Sequence, residues 1–204
     1  MKKRIVKDPE TRRAEILDAA GELIKNHGYM NTTVEAIIRQ LGIAKGTFYY
    51  YFKSKEDILD ALVDEMVSQL YENYKKIADE PEMSAMDKMQ GMLRGQNNLS
   101  EQENGLMESL HRPENSEFHE RINIEIILKI SPIFAQVIEQ GQKEAVFNVE
   151  YPLQTIQFIL AGSQFLLESG LFQWDAEEQI KQVLSMQAVI ERSLGAAPGS
   201  FSFI

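Results

Sequence analysis

The sequence contains no cysteine. That excludes disulfides, thiolate zinc sites, Fe–S clusters, cysteine nucleophiles and thiol-based redox sensing. It also lacks any apolar run near the roughly 18–20 residues a membrane span needs. The basic start Met1-Lys2-Lys3-Arg4 has no apolar stretch behind it, so neither a span nor a secretory leader is expected and the reading is cytoplasmic. On that reading Asn31-Thr32-Thr33 and Asn98-Leu99-Ser100 are chance matches to a glycosylation acceptor. Nucleophile elbow, phosphate loop and dinucleotide fingerprint are all missing. His111 and His119 lie near Glu108, Glu114 and Glu120, but at spacings that match no common ligand set. Neither a metal nor a cofactor is therefore expected. A surplus of positive charge is lacking too. Lys and Arg number 21 against 31 Asp and Glu, a net charge of −10 that taken whole argues against a polyanionic partner.

What is present fits a folded chain: 204 residues, 44% of them hydrophobic and 25% charged, without repeats or low-complexity tracts. The charge is unevenly placed. Residues 1–55 carry +5, and residues 56–204 carry −15. The first quarter can meet a phosphate backbone that the rest would repel.

Strand alternation persists nowhere, and helix punctuation recurs throughout, which predicts an all-α fold of about nine helices. Asp8-Pro9-Glu10 opens the first and Gly28 closes it, with Ile16, Leu17, Ala20, Leu23 and Ile24 on one face. His27 is expected to sit favourably at that helix's C-terminus. Thr32 to Glu35 reads as a capping box for a short helix ending near Gly42, and another short helix covers about 44–52. Ser54 with Asp57 opens a long helix striped by Leu59, Leu62, Val63, Met66, Val67, Leu70 and Tyr74. Ser84 with Asp87 and Ser100 with Glu103 open two more. One helix is expected over about 116–144, kinked at Pro132 because proline removes a donor and clashes with the preceding turn. Pro152 and Asp175 begin the last two, ended by Gly170 and Gly195.

Residues 32–52, TTVEAIIRQLGIAKGTFYYYF, have the layout of a helix-turn-helix. Ile37, Leu41, Ile43 and Phe48 sit where the helix pair must bury apolar groups, and Gly42 suits a left-handed turn. In such a unit the start of the second helix enters the major groove. Lys45 can donate to guanine, Gly46 lets backbone approach, and the Thr47, Tyr49 and Tyr50 hydroxyls reach bases or phosphates. Lys55 adds a cation at the next helix start. Three consecutive tyrosines cannot all face inward, so Phe48 and Phe52 make the better core pair and Tyr51 is left open. The basic start, Lys2 to Arg4, reads either as a solvated tail or as an arm adding phosphate affinity.

Residues 16–66, and most tellingly AKGTFYYYFKSKEDIL, resemble the DNA-binding domain of the TetR family of bacterial transcriptional regulators. Ile38 departs from that pattern, which usually has a small Ala there. The resemblance implies that Thr33, Lys45, Gly46, Thr47, Tyr49, Tyr50 and Lys55 touch DNA, with Lys45 and Gly46 reading bases. It implies a head over 1–54 and an effector-binding, dimerising body over 55–204. A homodimer formed through the last two helices would bind a palindromic double-stranded operator, and a small-molecule effector would release it. The methionines Met83, Met86, Met89 and Met92 suit either core packing or an adaptable pocket. Expected pocket residues are Met89, Leu93, Met107, His111, Phe118, Ile122 and Phe165. The apolar tail Phe201-Ser202-Phe203-Ile204 either packs back or joins a contact. Alternatives are a body that docks a protein partner instead of a small molecule, and an all-α enzyme with dispersed acids. The expected effect is repression.

Overall fold

In the computed structural model the described residues are 8–98, 109–110, 112–167, 172 and 174–202; for 95–98 this means the backbone alone. Helices follow one another as α1 (Pro9–His27), α2 (Val34–Leu41), α3 (Lys45–Tyr51), α4 (Lys55–Ala78), α5 (Ala85–Asn98), α6 (Ser116–Glu125), α7 (Ser131–Lys143), α8 (Pro152–Leu166) and α9 (Ala176–Leu194). A 3₁₀ turn, Pro113–Asn115, precedes α6, and a π turn, Ile126–Ile130, joins α6 to α7. The described residues contain no strand, so the fold is all-α with an N-terminal helix-turn-helix. The helix expected from Ser100 lies largely outside the described residues.

Two compact units divide the chain: residues 1–65 with 103–121, and 66–102 with 122–204. The boundary expected at 54/55 falls inside the first. That unit also draws in residues far along the sequence.

In the first unit Asp8 caps α1 by accepting from the Thr11 N–H at 3.0 Å, Pro9 follows it, and Gly28 ends the helix with φ +83°. Ile16, Leu17, Ala20 and Ile24 are buried, as their spacing requires. The cap of α2 is Thr33, whose Oγ accepts from the Ala36 N–H at 3.2 Å, and not the expected Thr32. Thr32 is buried and turns its hydroxyl back to donate to the Gly28 carbonyl at 2.9 Å. Gly42 sits at φ +62° in the turn between α2 and α3. Ile37, Phe48 and Phe52 fill the core of the helix pair, and Ile38 is only half-buried, so its extra volume is partly outside that core. At the start of α4, Ser54 accepts from the Asp57 N–H at 3.2 Å while Asp57 accepts from the Lys53 N–H at 2.8 Å.

In the second unit Met89, Met92 and Leu93 bury one face of α5. Lys88 is buried as well, donating to the Ala78 carbonyl at 2.7 Å and to Gln140 Oε1 at 2.9 Å. Its cation thus meets the negative end of α4. The segment expected as one helix kinked at Pro132 is helical without a break from 116 to 143, as α6, the π turn and α7, with the irregularity a π turn just before Pro132. Pro132 has no N–H for the Leu128 carbonyl and its ring would strike it, and a widened turn takes up that misfit. The Ser131 hydroxyl donates to the Ile127 carbonyl there.

As far as Ser202 the tail packs back. Phe201 is buried and stacks on Phe147 at 6.4 Å between centroids. Gln90 and Arg94 of α5 both donate to the Ser202 carbonyl, at 2.9 and 3.0 Å. Glu191 of α9 accepts from the N–H groups of Gly199 at 3.0 Å and Phe201 at 3.2 Å. The Gly199 donor, seconded by Phe201, Gln187 and Ser200, holds the Glu191 carboxyl below its ordinary range despite its burial.

Candidate nucleic-acid interface

Ala44 and Lys45 start α3 without a side-chain cap, and the Thr47 N–H donates to the Ala44 carbonyl at 2.9 Å. Lys45, Gly46, Tyr49 and Tyr50 are exposed along this short helix, Tyr50 at 77%, whereas Phe48 turns fully inward. Tyr51 is half-buried, its ring edge-on to Tyr50 at 4.9 Å, which resolves the open position in the run.

The Lys45 ammonium lies 3.7 Å from Glu35 and 5.7 Å from the Tyr49 ring centroid. Both are exposed, loose contacts that screening weakens, so the cation is available to a stronger acceptor. Nothing lies within 4 Å of the position a Cβ would take on Gly46, so that side of the backbone is open. Thr33 is exposed at the start of α2, with its Oγ already accepting one hydrogen bond. Thr47 is half-buried.

Lys55 is differently placed. Its ammonium donates to the Tyr29 carbonyl at 2.9 Å and sits 4.1 Å from the Tyr29 ring centroid. Two of its three N–H donors are left by that bond, so a phosphate can still be met, but from a fixed position. Tyr29 itself is buried, its hydroxyl without a partner among the described residues. Burial first, and then the Glu117 and Glu56 carboxylates, push its pKa up to about 12.

The region around Tyr29 is completed by residues that sequence reasoning missed. Asn115 is fully buried and accepts from the Tyr29 N–H at 2.6 Å. The Glu114 carbonyl accepts from the Met30 N–H at 3.0 Å, and Arg112 donates to the Lys25 carbonyl at 3.2 Å. Arg121 pairs with Asp60 on α4. An Arg-Pro-Glu-Asn stretch reads as a helix stop, and the only local hint of more was an asparagine placed to turn back on a neighbouring backbone.

The expected effector residues are only partly brought together. Met89 and Leu93 lie one turn apart on α5, both buried in the second unit, where Ile122 is buried too. Phe118 is buried in the first unit. Phe165 is exposed and packs edge-on against Phe172 at 5.5 Å. Met107 and His111 lie outside the described residues.

Residues 16–62 match the family described as bacterial regulatory proteins, tetR family, and residues 98–189 match the tetracyclin repressor-like C-terminal domain. The fatty acid metabolism regulator protein of Bacillus subtilis (strain 168) is 33% identical over 154 residues, which is 70% of this chain and 76% of that protein. This chain is a member of the TetR family of bacterial transcriptional regulators. Its relative in Mycolicibacterium smegmatis, the HTH-type transcriptional repressor KstR2, is 32% identical over 84 residues; the match spans 41% of this chain and 40% of the repressor's own length. Among solved structures, a TetR-family regulator from Syntrophomonas wolfei superposes with a TM-score of 0.65 at 23% identity. That match covers 94% of this chain and all of the other. No described helix of the regulator is long and apolar enough to cross a membrane.

Proposed function

We propose that this regulator is a repressor that binds a palindromic operator as a homodimer and leaves it when a small effector occupies its body. One observation carries the reading: an uncapped α3 presents Lys45, Gly46, Tyr49 and Tyr50 to solvent in a chain whose helix-turn-helix belongs to a DNA-binding family. Lys45 and the open backbone at Gly46 read base edges in the major groove. Thr33, Thr47, Tyr49, Tyr50 and Lys55 hold phosphates. In the dimer two such heads stand about 34–36 Å apart, one turn of DNA.

The head spans 1–54 and the body 55–204. Met89 and Leu93, with Ile122, contribute to the effector site, and flexible methionines suit a chain-like apolar ligand. The Bacillus subtilis relative is named a fatty acid metabolism regulator, and on that likeness we propose fatty-acid-derived compounds as the effector class. Phe165, exposed seven residues after the exposed Phe158, shares its face of α8, which we assign to the partner protomer and not to the effector site. An effector that prefers one of two dimer forms needs a differential affinity of about 1–3 kcal/mol to release the operator.

Selection from random duplexes followed by gel shifts tests this. The expected result is a palindromic site whose complex dissociates with fatty acids or their thioesters of a favoured chain length. Enrichment of a non-palindromic site, or complexes indifferent to every such compound, would contradict it.

A further inference from the structure

Tyr29 is held from two sides through its own backbone. Its N–H donates to Asn115 Oδ1 at 2.6 Å. Its carbonyl accepts from Lys55 Nζ at 2.9 Å and from the Thr32 N–H at 3.1 Å, and its ring lies against the Lys55 ammonium. Asn115 sits 86 residues further along the chain and is buried to the last atom. The other end of its amide is also used: Nδ2 donates to the Ser109 carbonyl at 2.7 Å and to its hydroxyl at 3.3 Å. A buried amide with both ends bonded has one orientation, and so it fixes what it touches. Glu114 Cβ abuts Gly28 where a Cβ would otherwise stand, and the Glu114 carbonyl takes the Met30 N–H. The corner Gly28–Thr32 is thus shaped by residues outside the helix-turn-helix.

That corner feeds two of the residues assigned to phosphates. Thr32 closes it and Thr33 then caps α2, while Tyr29 carries Lys55. We propose that Asn115 is a positioning residue for DNA binding, which through Tyr29 sets the Lys55 ammonium and the Thr33 cap for the phosphate backbone. The assignment rests on the DNA-binding reading and deepens it. It makes a definite claim about kind: phosphate contacts supply affinity to every sequence, whereas base discrimination belongs to α3. Losing Asn115 therefore weakens all DNA alike.

A double-mutant cycle in the full-length chain tests it, with N115A, K55A and both together. Each is titrated against the selected operator and an unrelated duplex across a range of salt. N115A is expected to weaken both DNAs about tenfold, the scale of one charge-assisted contact, and to make the salt slope shallower by about one. The double variant should lose less than the product of the two single losses, because part of the Asn115 effect is delivered through Lys55. A purely structural role for Asn115 would leave the salt slope unchanged and make the two losses multiply. That outcome, or a loss confined to the operator, overturns the proposal. Thermal melts accompany each protein, and if N115A does not fold, N115L, close in size and unable to accept from the Tyr29 N–H, carries the same cycle. An unmutated chain that shifts no DNA would sink the DNA-binding reading itself. An unmutated chain that binds, with multiplying losses, sinks only the role of Asn115.

Discussion

At the scale of single residues, Tyr29 separates what its backbone does from what its hydroxyl does. The hydroxyl is buried and has no partner among the described residues, and such a group costs free energy. Y29F is therefore expected to leave urea stability unchanged at neutral pH or to raise it by up to about 1 kcal/mol. The raised pKa adds a pH signature. A phenol that titrates near 12 in the fold and near 10 when unfolded contributes fully below about pH 10, and loses that contribution as the pH climbs to about 12. Melts of the two proteins over that window should diverge, with Y29F lacking this part of the alkaline decline; parallel curves would show the ring to be wetter than its burial indicates. Sequence reasoning reached some of these residues and not others. The aromatic run resolved correctly at Phe48 because i, i+4 spacing decides what a helix buries. Thr32 and Thr33 were exchanged, since either can cap and only the buried Gly28 carbonyl selects Thr32 for another task. Asn115 was illegible because its partner lies 86 residues away.

At the scale of elements, caps and helix stripes were readable in advance, as Asp8, Ser54, Ser84, Asp175, Gly42 and Gly195 show. The π turn was not, because a proline in a helical pattern can kink it, end it or widen it, and packing decides which. The elements closing the second unit make two stability predictions. A Cβ on Gly141 would overlap the Phe147 ring, and Phe147 is itself stacked on Phe201. G141A should therefore cost about 1–3 kcal/mol of unfolding free energy in urea; a neutral result would mean that the ring moves aside freely. Glu191 is charged in the fold and accepts backbone N–H groups of the tail, which hold its pKa below the ordinary value. Its contribution is present above about pH 4.3, the ordinary glutamate value, and lost as the pH falls through the lower folded value. Melts against pH should show the wild type ahead of E191Q at neutrality and the gap closing in acid; a constant gap would deny the titration.

At the scale of the whole molecule, the charge divides as +5 over residues 1–55 and −15 over residues 56–204, which favours the N-terminal segment as the part that meets a polyanion. Phe158, Phe165, Ile180, Leu184 and Val189 leave much apolar surface exposed on α8 and α9, Phe158 at 82%. Covering that surface with a second copy should give about twice the 23.3 kDa chain mass in solution. F158E should return the protein to a single chain and abolish operator binding, because one head alone lacks the second half-site; sedimentation and gel shifts on the same samples would settle both points. The fold class and the helix-turn-helix were legible in the sequence because both follow from local periodicity and a specific motif. The grouping of residues 103–121 with residues 1–65 was not, since no local pattern reports which distant segments pack together. The central claim, that α3 reads DNA sequence through Lys45, is tested most directly by titrating K45A and the unmutated protein against the selected operator and an unrelated duplex at several salt concentrations. K45A should lose operator affinity, by roughly 1–3 kcal/mol, well beyond its loss on unrelated DNA, so that the ratio between the two falls. An unchanged ratio, with both affinities reduced alike, would make Lys45 one more phosphate contact and contradict the account.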